Sequence, residues 1–182
     1  MSASPLDIDP FSENGGLDVI IETVQGSGNK FKYDPRGNLF VLHHVLPKGI
    51  HFPYDFGFTP STLGEDGDPL DVLVLMDAPV FPGCLVHTRL VGVIEAIQKE
   101  PKRRDRNDRL IAVERKSITW GEIDSLDDLP ESILDHIESF FIDYNQRRGN
   151  EFIPQGRHNA KKALELVKKG AQRFRERRPA ST

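Results

Sequence analysis

Glu65-Asp66-Gly67-Asp68-Pro69-Leu70-Asp71-Val72-Leu73-Val74-Leu75 places three aspartates, Asp66, Asp68 and Asp71, within six residues and follows them at once with an apolar run. Val72 to Leu75 has the pattern of a buried strand, so the acidic triplet sits on a turn at that strand's mouth. Gly67 relieves the backbone of the turn, while Pro69 fixes φ and removes a donor. Three carboxylates at such close quarters cannot all stay ionised without a cation. Clustered hard oxygens suit Mg²⁺ or Mn²⁺ rather than zinc. Divalent ions held by carboxylates are a common means of handling phosphate.

Before this stretch the chain reads as short strands punctuated by Gly and Pro. Residues 1–16 are expected to form a loose arm, and residues 17–178 a single domain. Asp18 to Val24, Lys30 to Tyr33 and Leu39 to Val45 are predicted strands, joined by turns at Gly26–Asn29 and Asp34–Asn38. The aromatic segment Phe52 to Thr59 leads to the acidic turn. After it, Pro82-Gly83 turns the chain into one or two strands over Leu85 to Ile97. A charged loop follows from Glu100 to Arg109, and Leu110 to Val113 is a last strand.

The pattern then changes period. Asp127-Asp128-Leu129-Pro130-Glu131-Ser132 is a helix start, with acidic residues near the positive end of the dipole. Ile133, Leu134, Ile137, Phe140, Phe141 and Tyr144 recur at helical spacing. Arg147 and Arg148 are expected in the last turn, with Gly149 ending it. A second helix is expected from Asn159 to Arg177, with Ala163, Leu164, Leu166, Val167 and Phe174 as its apolar stripe and Gly170 as a weak point. Strands first and helices afterwards predict an α+β domain, a small closed antiparallel β-barrel with two C-terminal helices packed on it.

Composition narrows the function classes. A chain of 182 residues can bury one real core. A net charge of −4 argues against nucleic acid as the partner. A basic tail (Lys161, Lys162, Lys168, Lys169, Arg173, Arg175, Arg177, Arg178) reads as a solvated face. No stretch is apolar enough to span a membrane. Cys84 is the single cysteine, and the first ten residues lack a basic flank and an apolar core, so a cytoplasmic location is expected.

Alone, Asp-Gly-Asp-Pro is what any solvated turn uses. The longer string Asp66-Gly67-Asp68-Pro69-Leu70-Asp71-Val72-Leu73-Val74 is more specific. It resembles the signature of the family I soluble inorganic pyrophosphatases, with Asp66, Asp68 and Asp71 each matching an aspartate. The resemblance runs over roughly residues 17 to 175 and implies a barrel similar to the OB fold. It also implies metal-dependent hydrolysis of pyrophosphate, with Mg²⁺ as cofactor and Mn²⁺ as a substitute. By the same resemblance, Asp68 is the catalytic group that helps deprotonate water, and Asp66, Asp71, Asp68 and Glu22 are metal ligands. Lys30, Arg109 and Tyr144 match phosphate contacts, and relatives of this length imply a homo-oligomer such as a hexamer.

The departures from the family pattern gather at the same site. Lys32 stands where the family has an acidic residue, His43 where it has an arginine, Phe56 where it has a tyrosine, and Asn145 where it has a lysine. In the charged loop, Asn107 takes an aspartate position and Arg109 a lysine position. Glu100, Asp105 or Asp108 could supply the missing oxygen. Lost carboxylates mean fewer or weaker ions. Lys32 and His43 are accordingly expected to join the substrate-binding groups, since cations clamp phosphoryl oxygens. The alternative function is the same barrel acting on another phosphoanhydride, or holding a phosphate ligand with weak turnover or none.

Overall fold

The computed structural model describes residues 4–12 and 15–177. Among these run nine strands: β1 (Leu17–Thr23), β2 (Asn29–Asp34), β3 (Leu39–Val45), β4 (Asp55–Thr59), β5 (Leu70–Leu75), β6 (Leu85–Glu100), β7 (Arg103–Arg106), β8 (Arg109–Glu114) and β9 (Glu151–Asn159). The helices are α1 (Glu131–Gln146) and α2 (Ala160–Arg177).

Strands β1, β4, β5, β8 and β6 are neighbours in that order, and β6 pairs back to β1 through Leu17↔Thr88 to Ile20↔Leu85. The result is a closed ring of five strands. The 16 residues of β6 make closure possible, because one strand serves β1 at its start and β7, β8 and β9 further along. The ring departs from the expected antiparallel barrel in one pair, β5–β8, which is parallel. The chain leaves β5, makes β6 on the far side of the gap, folds back through the β6–β7 hairpin and lays β8 beside β5 in the same direction.

Both faces of β5 and β8 are buried, which explains their unbroken apolar runs. Leu73, Leu75, Ile111 and Val113 pack with Phe52, Phe56 and the inner face of α1. Val72, Val74, Leu110 and Ala112 pack with Leu17, Val19 and Ala163 and Val167 of α2. Each strand thus feeds one apolar layer with its odd residues and the other with its even ones.

Several elements differ from the sequence reading. Strands β2 and β3 are not in the ring but form a separate hairpin. It hangs from β1 by side chains: the Thr23 hydroxyl accepts from Phe31 N–H at 3.0 Å, and Glu22 accepts from Tyr33 N–H at 2.6 Å. The aromatic segment contains β4, which lacks alternation because it is buried on both faces. The charged loop contains β7. Strand β9 went unread because Pro154-Gln155-Gly156 interrupts its apolar pattern. It is held instead by β6, with a register shift between Glu95 and Ala96.

Asp127 and Asp128 lie in a separate 3-10 turn capped by Ser125, and α1 begins only after Pro130. That helix ends at Gln146, so Arg147 is its cap and Arg148 lies beyond it. In α2, Leu164 is 37% exposed and does not belong to the buried stripe. Gly170 does belong to it. Its carbonyl accepts from Leu63 N–H at 3.0 Å, and a Cβ there would lie 2.7 Å from Leu70 Cδ1. The missing side chain lets α2 close on the segment that carries the acidic turn. Residues 4–12 of the N-terminal segment include a 3-10 turn (Pro5–Asp7), and Leu6 and Ile8 rest on Ile20, Tyr33 and Phe58.

Gly57 gives the sharpest packing test. A Cβ at this point of β4 would lie 2.0 Å from the Ile20 carbonyl oxygen of the neighbouring strand, where only backbone could yield. Gly57→Ala is expected to destabilise the fold by about 3 kcal/mol or more, read as a lowered urea midpoint.

Candidate active site

The acidic turn is fixed by its own backbone. Gly64 N–H donates to the Asp68 carbonyl at 2.7 Å, Asp68 N–H donates to Asp66 Oδ1 at 3.1 Å, and Gly67 adopts φ +91°. Only glycine takes that φ without strain. The turn faces a cleft of about 370 Å³ between the ring, the β2–β3 hairpin and the end of α1.

Glu22, Lys30, Lys32, His43, Asp66, Asp68, Asp71, Arg109 and Tyr144 all line this one cleft. Lys30 and Lys32 reach it together because alternate residues of a strand share a face. Tyr33, the residue after Lys32, points the other way and is buried in a small apolar cluster with Ile20 and Phe58.

The charged segment resolves by the same alternation. Arg103, Asp105, Asn107 and Arg109 line the cleft, as does Glu100. Asp108 turns away: one oxygen accepts from Ala96 N–H at 3.0 Å and the other from Arg106 at 2.7 Å. Of the three carboxylates that could have replaced the missing oxygen, Asp108 is therefore unavailable, and Asp105 is ion-paired with Arg103. Asn107 donates to Gln98 at 3.1 Å and accepts from Arg109 through its carbonyl oxygen.

Arg109 is 3% exposed and pairs with Asp71 at 2.7 Å. Its guanidinium lies 4.6 Å from the Phe141 ring centre and 5.3 Å from that of Phe152, at cation–π range. Lys32 pairs with Asp68 at 2.7 Å. Lys30 lies over the Phe56 and Tyr144 rings, 5.2 and 5.8 Å from their centres.

Sequence reading missed three participants. Arg148 donates to Tyr144 Oη at 3.0 Å and lies 2.7 Å from His44 Nε2. The Tyr144–Arg148 spacing of four residues was the available signal. Arg103 donates to the Asp66 carbonyl and was hidden by reading β7 as a loop.

The electrostatics follow from burial among mixed charges. Burial pushes the Glu22 carboxyl up to about 7, with Asp71 adding to the rise and the Tyr33 N–H and Lys30 opposing it. Burial, then the charges of Asp71 and Asp68, push Asp66 up to about 6 against the hydrogen bond from Asp68 N–H. Burial lowers Lys30, helped by Arg109 and Lys32. Burial also works against the Lys32 ammonium, but the hydrogen bond and charge of Asp68, with the charges of Glu22 and Asp71, make the net shift upward. Burial and then Arg148 hold the His44 ring down at about 4, so it is neutral at pH 7.

Among the described residues, no three Asp, Glu, His or Cys groups close round a single point. The donors present are nonetheless hard oxygens on one turn. In chemistry they fit a hard divalent cation, and Lys32 and Arg109 already supply two of the positive charges beside them. Carboxylates for a cation opposite lysine and arginine for an anion, on a small ring of strands, define a phosphate-handling site of the metal-assisted class.

Comparison with known proteins agrees. A family model described as inorganic pyrophosphatase matches residues 19–175. The inorganic pyrophosphatase of a Synechocystis strain is 41% identical over 130 residues, 71% of this chain and 75% of that protein. The Thermus thermophilus enzyme is 37% identical over 160 residues, 86% of this chain and 89% of that protein. A crystal structure of the inorganic pyrophosphatase from Thermus thermophilus superposes with a TM-score of 0.87 at 33% identity, covering 95% of this chain and 99% of that one. The Helicobacter pylori structure gives 0.84 at 28% identity, covering 93% and 99%. The chain belongs to the inorganic pyrophosphatase family.

Glu22 supplies a pH test on protein stripped of divalent ions with a chelator. Its carboxyl titrates near 4.5 when unfolded and at about 7 when folded, so folding favours the protonated form. That stability is full below pH 4.5 and is lost as pH rises through 7. Glu22→Gln keeps an oxygen for Tyr33 N–H and removes the charge. It is expected to stabilise the metal-free fold by about 3 kcal/mol at pH 8 and hardly at all at pH 4, by urea unfolding.

Proposed function

We propose that this chain hydrolyses inorganic pyrophosphate to two phosphates, and that Asp66, Asp68, Asp71 and Glu22 carry the metal-assisted chemistry. The observation behind this reading is one cleft holding these carboxylates against Lys30, Arg109 and Tyr144, on the family's fold. Mg²⁺ is the expected cofactor and Mn²⁺ a substitute. A divalent ion held by Asp66, Asp68 and Asp71 would neutralise phosphoryl oxygens and acidify water.

The chain's own side chains do the rest. Lys30, Arg109 and Tyr144 orient the phosphates, with Lys32 and His43 extending the basic wall. Asp68 accepts a proton from water as the water oxygen bonds to phosphorus. The bridging P–O bond then breaks and its electron pair leaves with the second phosphate, steadied by fixed positive charge.

One observation favours a second reading, in which the cleft turns over pyrophosphate slowly or prefers another phosphoanhydride. Asn107, not a carboxylate, faces the cleft, and Arg109 already engages its oxygen. A neutral oxygen so engaged is a poor ligand, so a second metal would be weakly held. The exposed apolar residues of β3, Leu39 (62%), Leu42 (55%) and Val45 (71%), with Phe81 (66%), support a homo-oligomer, read by size-exclusion chromatography with light scattering. The single cysteine fits the cytoplasm as the place of action.

Phosphate release from pyrophosphate with Mg²⁺ or Mn²⁺, set against nucleotides and polyphosphate, tests the activity. Asp71→Asn is expected to cut turnover at least about 100-fold, with a melting curve to confirm the fold. Asn107→Asp is expected to raise turnover and tighten metal binding. A fall on Asn107→Asp would remove the case for Asn107 as the missing ligand. Full activity in Asp71→Asn would place the chemistry elsewhere.

A further inference from the structure

On the acidic turn, Asp68 and Asp71 are each held by a tethered cation, and the two tethers differ. Arg109 is buried, wedged against Phe141 and engaged by Asn107. Lys32 comes from β2, on the hairpin outside the ring, and reaches Asp68 Oδ2 at 2.7 Å with side chains 36% and 54% exposed. An ion pair this exposed is worth at most about 1 kcal/mol, so a better partner can break it. A phosphoryl oxygen of a multiply charged anion is such a partner. While Lys32 holds Asp68, that carboxylate oxygen is not free to take a proton from water.

We infer that Lys32 masks Asp68 until the anion binds and then transfers to a phosphoryl oxygen, releasing Asp68 to the attacking water. The inference rests on the assignment of Asp68 as proton acceptor and deepens it. No covalent bond changes in the exchange: the Lys32–Asp68 pair is lost and a Lys32–phosphate pair forms. The same geometry sets Lys32 against a divalent ion for the Asp68 oxygen in the anion-free site. Lys32 thus weakens cation binding before the substrate arrives and strengthens anion binding, a coupling that must be reciprocal.

Calorimetry on Lys32→Gln, Lys32→Arg and the unaltered chain tests this without turnover. Mn²⁺ is titrated with no anion present, and imidodiphosphate is titrated in chelator. Lys32→Gln is expected to bind Mn²⁺ about fivefold tighter and imidodiphosphate about fivefold weaker or worse, while Lys32→Arg keeps both near their original values. An unchanged or weaker Mn²⁺ affinity in Lys32→Gln overturns the masking of Asp68. An unchanged imidodiphosphate affinity overturns the transfer to phosphate. Lys32 is half-buried on the hairpin and its pair with Asp68 is a weak one, so an unaltered melting curve is expected to accompany the shifts. Should both shifts occur in a protein that releases no phosphate from pyrophosphate, the exchange stands and the hydrolytic reading fails.

Discussion

The pair Arg109–Asp71 is the constraint on which the rest of the structure depends. Asp71 directly precedes Val72 and Arg109 directly precedes Leu110, and Val72↔Leu110 is the first register pair of the parallel β5–β8 ladder. The ion pair therefore sits at the mouth of the only parallel pairing in the ring and ties the acidic turn to the charged segment. A guanidinium so buried is tolerable only when its charge is met. Asp71, the Asn107 oxygen and the faces of Phe141 and Phe152 meet it, although its Nε finds no partner among the described residues. Site and fold are thereby coupled: the group proposed to steady a phosphate also sits at the first register pair of two strands.

The lysine wall of the cleft is built differently. It hangs on a two-stranded hairpin outside the ring, joined to β1 through the side chains of Thr23 and Glu22. Glu22 thus has a structural contact as well as a place in the cleft. Its carboxylate holds the backbone of β2, the strand that carries Lys30 and Lys32. The carboxylates and Arg109 are positioned by the ring and its loops, whereas Lys30 and Lys32 are positioned by a separate piece of backbone, the appended hairpin. An ion pair across that divide, such as Lys32–Asp68, is where the two pieces can exchange partners.

Much of this was legible in the chain. The Gly and Pro placement and the apolar run after Asp71 were sufficient for the turn, for β5 and for the carboxylates at its mouth. The 3.6-residue recurrence of Leu134, Ile137, Phe140, Phe141 and Tyr144 was sufficient for α1. The segments that resisted reading share a cause. Strands β4 and β9 take their regularity from partners distant in sequence, and Gly57 and Pro154 spoil any local pattern. Alternation of Arg103, Asp105, Asn107 and Arg109 was present in the charged segment, yet it is uninformative until one face is known to meet the cleft.

The sequence by itself determined the chemistry available: hard-oxygen donors on a tight turn, an α+β chain with one core, and a set of cations where more carboxylates were expected. Those are properties of residue type and short-range spacing, which act through local sterics and charge. The tertiary structure alone decided which of these groups meet. It turned Asp108 toward Ala96 and Arg106 and brought Asn107 to the cleft, because a strand sends neighbouring side chains to opposite faces. It also set Lys32 on Asp68 and Arg109 on Asp71, because ring closure by β6 and the suspended hairpin bring residues far apart in the chain within a hydrogen bond of each other.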